Sequence, residues 1–115
     1  MAKIINSARN AALSDNYDLC ETILSKLIGL MFSTNRKKSL VFAFKKEILI
    51  SLHMFFVFYP IDVLFLNKNK IVVDKKENFR PFTFYKSVKK AMYVIEMPEG
   101  IIKKTRTGIG DKIEF

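Results

Sequence analysis

Three ionisable side chains interrupt the apolar runs of this 115-residue chain: His53, Asp62 and Glu96. His53 is the sole histidine. Its imidazole titrates near neutrality and ligates metals, so it is the first candidate for acid–base work. A flat ring lining a cleft or covering the core is the simpler use of a lone histidine. Asp62 lies inside YPIDVLFL. A carboxylate buried there needs hydrogen-bond donors or a cation, or it takes up a proton. Backbone amides around the turn after Pro60, or an arginine, would meet that need. Glu96, in AMYVIEM, shares a strand face with Met92 and Val94, while Tyr93 and Ile95 point the other way. If the two carboxylates and His53 converged on one cavity, their environments could divide acid and base roles, as in a small hydrolase. If they line a cleft without such pairing, they are ligand-binding candidates of a non-catalytic module.

The remaining polar candidates are weaker signals. Arg36, Arg80 and Arg106 could each hold an anionic group bidentately, although isolated arginines are usually solvated. In TGIGDKI, Asp111 follows Gly108 and Gly110 and is expected to accept hydrogen bonds from turn amides. Two glycines without a strand–helix context and a third glycine do not make a dinucleotide loop. Cys20 has no cysteine or histidine beside it and carries no mark of a nucleophile. No metal motif, nucleophile elbow or phosphate loop is present, so neither a metal nor a cofactor is expected.

These residues must be positioned by short strands. The run ILISLHMFFVFYPIDVLFL, residues 48–66, is nearly long enough to cross a membrane. Asp62 near mid-bilayer would cost about 2.5–3.5 kcal/mol. Pro60 would break the helix, and lysines flank both ends, so no orientation is favoured. Phe55 to Tyr59 are strand formers, and Pro60 splits the run into two strand-length pieces, residues 48–59 and 61–66. No membrane association is expected. Further strands are read at residues 3–6, 40–44 and 91–97 and at the C-terminus, with a polar stretch through Asn16. LFLNKNKIVVDKK is a hairpin signal, and NFRPFTFY is extended with Pro81 barring a central position. TILSKLIGLMF places Ile23, Leu24, Leu27 and Ile28 on one helical face, capped by Thr22 and ended at Gly29.

Six to eight strands and one short helix predict a mainly β single domain, residues 1–115, built as a barrel or sandwich. Half the residues are apolar and eleven are Phe, enough for one core. Twenty basic against eleven acidic residues give a formal charge of +9, which attracts polyanions. The basic groups are scattered between apolar runs, and the aromatics are expected to be buried, so nucleic acid stands as the alternative partner rather than the leading one. One cysteine and no apolar N-terminal run point to a cytoplasmic protein.

GLMF, LVFAF, HMFFVFYPIDVLFL, YVIEMPEG and IGDKI occur in a set order between Gly29 and Ile113, within a resemblance that covers the chain from about Ala11 onward. That order resembles the family called domain of unknown function 192, found in bacteria and archaea, and HMFFVFYPIDVLFL with KAMYVIEMPEG is most similar to its archaeal branch. The resemblance implies a compact antiparallel β-barrel of jelly-roll type with a short helix packed on it. It implies no activity. The position of His53 is often Trp in similar bacterial sequences, so no proton-transfer role comes with it. The expected function is therefore a non-catalytic binding or interaction module for a small ligand or protein partner, with a nucleic-acid binder or a carboxylate–histidine hydrolase as alternatives.

Overall fold

The computed structural model of the chain describes residues 3–20, 39–53 and 59–115, with Cys20 and His53 described by their backbone alone. The helix expected from Thr22 to Gly29 lies outside the described residues. Ten strands are described: β1 Ile4–Asn6, β2 Ala11–Ser14, β3 Tyr17–Cys20, β4 Ser39–Ile48, β5 Ser51–His53, β6 Ile61–Leu66, β7 Val72–Phe79, β8 Phe84–Lys86, β9 Ala91–Pro98 and β10 Ile113–Glu114. A five-residue helix, α1 (Ile101–Thr105), sits between β9 and β10.

The centre is a five-stranded sheet in the order β3-β4-β9-β6-β7. Only β3 and β4 run parallel; the other neighbours are antiparallel. All six residues of β6 are buried, because the sheet is covered on both faces. That is why residues 61–66 read as a continuous apolar run instead of alternating. One face packs Val41, Leu64, Ile95 and Met97 against Ile4 and Leu13 of a second sheet, ordered β10-β1-β2, and against Ile102 of α1. The other face packs Phe42, Val63, Phe65 and Val94 against Ile50 and Leu52, which lead into a two-stranded ribbon of β5 and β8. Burying each such side chain stabilises the fold by roughly 1.5–3 kcal/mol. The arrangement is layered and compact, with a Cα radius of gyration of 12.6 Å.

The mainly β class is as expected, but barrel closure is not. Among the described residues the three sheets have open orders and do not join into one ring. The polar stretch through Asn16 contains β2, because Ile5 and Asn6 pair with Ala12 and Ala11. Nor does the run from Ile48 continue as one strand. Ile48 ends β4 opposite Ala91, and the chain then turns to pair with β8. Ser87 drives that turn: its backbone N–H donates to the Ile50 carbonyl at 2.8 Å, and its hydroxyl accepts from the Ile50 N–H at 3.0 Å. The β6–β7 hairpin forms where its Asn/Lys loop lies, with Asn67 Oδ1 accepting from the N–H groups of Asn69 and Ile71. Among the described residues no helix is long and apolar enough to cross a membrane.

Candidate functional site

Asp62 is 1% exposed, and both of its oxygens are engaged. Oδ1 accepts from the Asn78 N–H at 3.0 Å; Oδ2 accepts from the N–H groups of Gly100 at 3.0 Å and Ile102 at 2.9 Å. Between Ile61↔Phe79 and Val63↔Lys76, Asp62 faces two residues of β7, a bulge that turns the Asn78 amide toward it. On its other side it accepts the first amides of α1, whose N-cap, Gly100, is left-handed at φ 96° and has no side chain to cap with. A carboxylate borrowed from β6 thus does the work of an N-cap side chain. The amide-bound reading of Asp62 describes its geometry, with three backbone amides on its two oxygens.

Glu96 is buried on the opposite face. In the β6–β9 ladder Asp62 pairs with Met97, and Val63 pairs with Glu96. Directly paired residues share a face. Met97 belongs to the core cluster against α1, and Val63 to the cluster against the ribbon. The sheet therefore separates the two carboxylates, and they cannot act on one substrate. Among the described residues Glu96 Oε2 has no hydrogen-bond partner, and burial pushes the carboxyl up to about 8. The backbone of His53 pairs with Phe84 at the end of the ribbon. The His53 side chain and Arg36 lie outside the described residues. Arg80 is exposed beyond β7, and Arg106 is exposed at the C-cap of α1, left-handed at φ 58°.

Two polar centres were not anticipated. Asn6 Nδ2 donates to Asp111 Oδ2 and to Thr107 Oγ1, both at 3.0 Å. The Gly108 N–H at 3.0 Å and Arg9 Nε at 3.2 Å also donate to Asp111 Oδ2. Burial alone would raise the Asp111 carboxyl, but the bonds from Asn6, Gly108 and Arg9 and the Arg9 charge outweigh it and hold the carboxyl below its usual range. This centre ties β1 to the turn before β10, in keeping with the turn role read for Asp111. The second is Asp74, whose Oδ1 accepts from the Lys75 N–H and whose Oδ2 accepts from the Tyr85 hydroxyl and the Val88 N–H, each at 2.8 Å. Burial, then the hydrogen bond and charge of Asp74, push the Tyr85 phenol up to about 12. The Tyr85 ring packs against Phe65 and Phe79 at centroid distances of 5.8 and 6.5 Å.

Tyr85 and Leu52, its pair, face the core. Alternation along β8 then puts Phe84 and Lys86 on the outer face, and both are exposed. Phe84 is 71% exposed, Phe82 61%, Val88 74% and Leu49 46%. Four of the six exposed large apolar side chains of the described residues are thus gathered along the ribbon. The expectation of buried aromatics fails here, because only every second position of β8 meets the core. Phe82 is held left-handed at φ 63°, a conformation that costs a bulky residue about 1–2 kcal/mol. Arg80, Lys86, Lys89 and Lys90 are exposed around these side chains. The signal was present in sequence: residues 80–90 hold four basic side chains and no acidic one.

The profile of the DUF192 family, described as Uncharacterized ACR, matches residues 4–115. The chain belongs to this family. A UPF0127 protein of Thermococcus sibiricus is 35% identical over 114 residues, covering 97% of this chain and 73% of that protein. One from Pyrococcus abyssi is 32% identical over 117 residues, covering 100% and 98%. The fold agrees as well. A crystal structure of a protein of unknown function from Novosphingobium aromaticivorans superposes with a TM-score of 0.83 at 20% identity, covering 98% of this chain and 82% of that one. A crystal structure described as that of a putative transcription regulator from Sinorhizobium meliloti gives 0.82 at 20% identity, covering 97% of this chain and 89% of that one. The DUF192 layers are therefore shared with these proteins, and the ribbon is read from this chain's own residues.

Proposed function

We propose that this DUF192 protein is a non-catalytic binding module whose working surface is the outer face of the β5–β8 ribbon. The carrying observation is the gathering of exposed Leu49, Phe82, Phe84 and Val88 among exposed basic side chains, above an underside clamped by Asp74 and Ser87. Exposed apolar side chains that are grouped rather than scattered mark interaction sites. A clamped backbone keeps the ordering cost of binding low. An open face of this kind suits an extended or macromolecular partner better than a small ligand. The hydrolase reading loses its carboxylate pair, since Asp62 and Glu96 lie on opposite faces of the central sheet. A single cysteine fits a reducing compartment, which supports a cytoplasmic site of action.

The test is an amide NMR titration of the full chain with three probes: an oligothymidylate, anionic lipid vesicles and a polyglutamate peptide. The expected result is that at least one of them perturbs residues 49–53 and 80–90 first. Perturbation centred elsewhere, or by none of the three, would overturn the reading.

A further inference from the structure

We infer that the ribbon binds single-stranded nucleic acid, with bases stacking on Phe84 and Phe82 and phosphates held by Arg80, Lys86, Lys89 and Lys90. The inference rests on the ribbon being the working surface and names the chemistry of its occupant.

The sign of the charge comes first. Residues 80–90 carry four basic side chains and no acidic one, all four exposed, in a chain of formal charge +9. The nearby carboxylate, Asp74, is buried beneath the ribbon and turned inward to Tyr85 and Val88. It does not present negative charge on the outer face. A polyanion is the complementary occupant.

Apolar chemistry then chooses among polyanions. Single-strand binders combine a basic track with exposed aromatic rings, because every base offers a face to stack and every phosphate a charge to pair. Phe82 and Phe84 each keep an interaction with their surroundings, yet most of their surface is open. Phe84 and Lys86 occupy successive outward positions of β8, so ring and charge alternate along one strand. A duplex hides its base faces and would use only the four basic side chains. A lipid surface would also accept both the charge and the apolar side chains, and the vesicle arm below decides against it or for it.

The experiment is fluorescence anisotropy of the full chain with a labelled oligothymidylate of about twelve nucleotides, its duplex, and vesicles of phosphatidylcholine with a quarter phosphatidylglycerol. Single strand is expected to bind at least about tenfold tighter than duplex at moderate salt. F84A should weaken single-strand binding about tenfold and leave the salt slope unchanged. A Lys86→Gln, Lys89→Gln double variant should instead flatten the slope by about 1.4. Thermal melts verify that each variant is folded, and F82A provides a second ring test should F84A melt early. Equal affinity for duplex and single strand, or ring variants without effect, would reduce the binding to charge attraction and overturn the inference. Vesicle binding that is lost in F84A, with no oligonucleotide binding, would also overturn it while leaving the ribbon as the working surface. A titration that maps away from the ribbon, or one in which none of the three probes perturbs the chain, removes both readings.

Discussion

Asp62 and Glu96 sit in adjacent strands one position out of register, and both are buried, but their surroundings differ. Three backbone amides donate to the Asp62 carboxyl. Among the described residues none reaches Glu96 Oε2, and burial pushes that carboxyl from 4.5 to about 8. The linkage has a definite sign. The unfolded chain releases the Glu96 proton near pH 4.5, whereas the folded chain keeps it until about pH 8. Stability contributed by protonated Glu96 is thus complete below pH 4.5, declines from there to about pH 8, and is gone above it. Glu96→Gln cannot ionise and should remove this decline. Urea melts should show the variant close to the wild type at pH 4.5 and more stable at pH 8, by an amount on the order of a few kcal/mol. Equal pH profiles for the two proteins would mean that Glu96 is solvated or paired in solution.

At the scale of elements, strands were legible and their ends were not. Residues 61–66 and 91–97 read as strands because β-branched and aromatic residues fill them, and they form β6 and most of β9. Helix α1 was missed because five residues carry too little periodicity, and its start is set by a carboxylate 38 positions away from Gly100. The bend after Ile48 was missed because Ser87, which takes the Ile50 amide, gives no local sign of that role. The ribbon depends on a similar long-range bond, from Tyr85 to Asp74, and this bond can be read by titration. The phenol of Tyr85 should stay protonated to about pH 12, followed by its ultraviolet absorbance against Tyr85→Phe. Asp74→Asn removes the adjacent charge but not the burial, so the phenol should move only part of the way back toward 10. A return to 10 would show that Asp74 carries the whole effect, and no movement would show that the bond is not formed. Asp74→Ala leaves no side-chain acceptor and releases the Val88 amide, so the loop from Ser87 to Lys90 should exchange its amide hydrogens faster in that variant.

At the scale of the whole molecule, the separation of Asp62 and Glu96 by the central sheet was not legible at all. Alternation assigns faces within one strand, but only the register between β6 and β9 shows that Asp62 and Glu96 face apart. The net charge was legible and has a consequence for the fold as well as for binding. The molecule measures 33 × 27 × 26 Å, comparable with the Debye length of about 30 Å at 0.01 M salt. Every basic side chain then repels the others across the whole molecule, while the ion pairs Arg9–Asp111 and Lys75–Glu77 are partly exposed and each contribute about 0–1 kcal/mol. Repulsion should therefore win, and salt should stabilise. Calorimetry at pH 7 should show Tm rising by a few degrees, about 1 kcal/mol, as salt is raised from about 0.01 to 0.15 M. Reversing Lys86 and Lys89 to Glu lowers the formal charge from +9 to +5, two units for each substitution. That variant should melt higher at low salt, respond less to added salt, and lose polyanion binding, since the same lysines create both the repulsion and the attraction. If Tm instead falls with salt, attractive pairs dominate, and the charge on the ribbon is balanced within the fold rather than held for a partner.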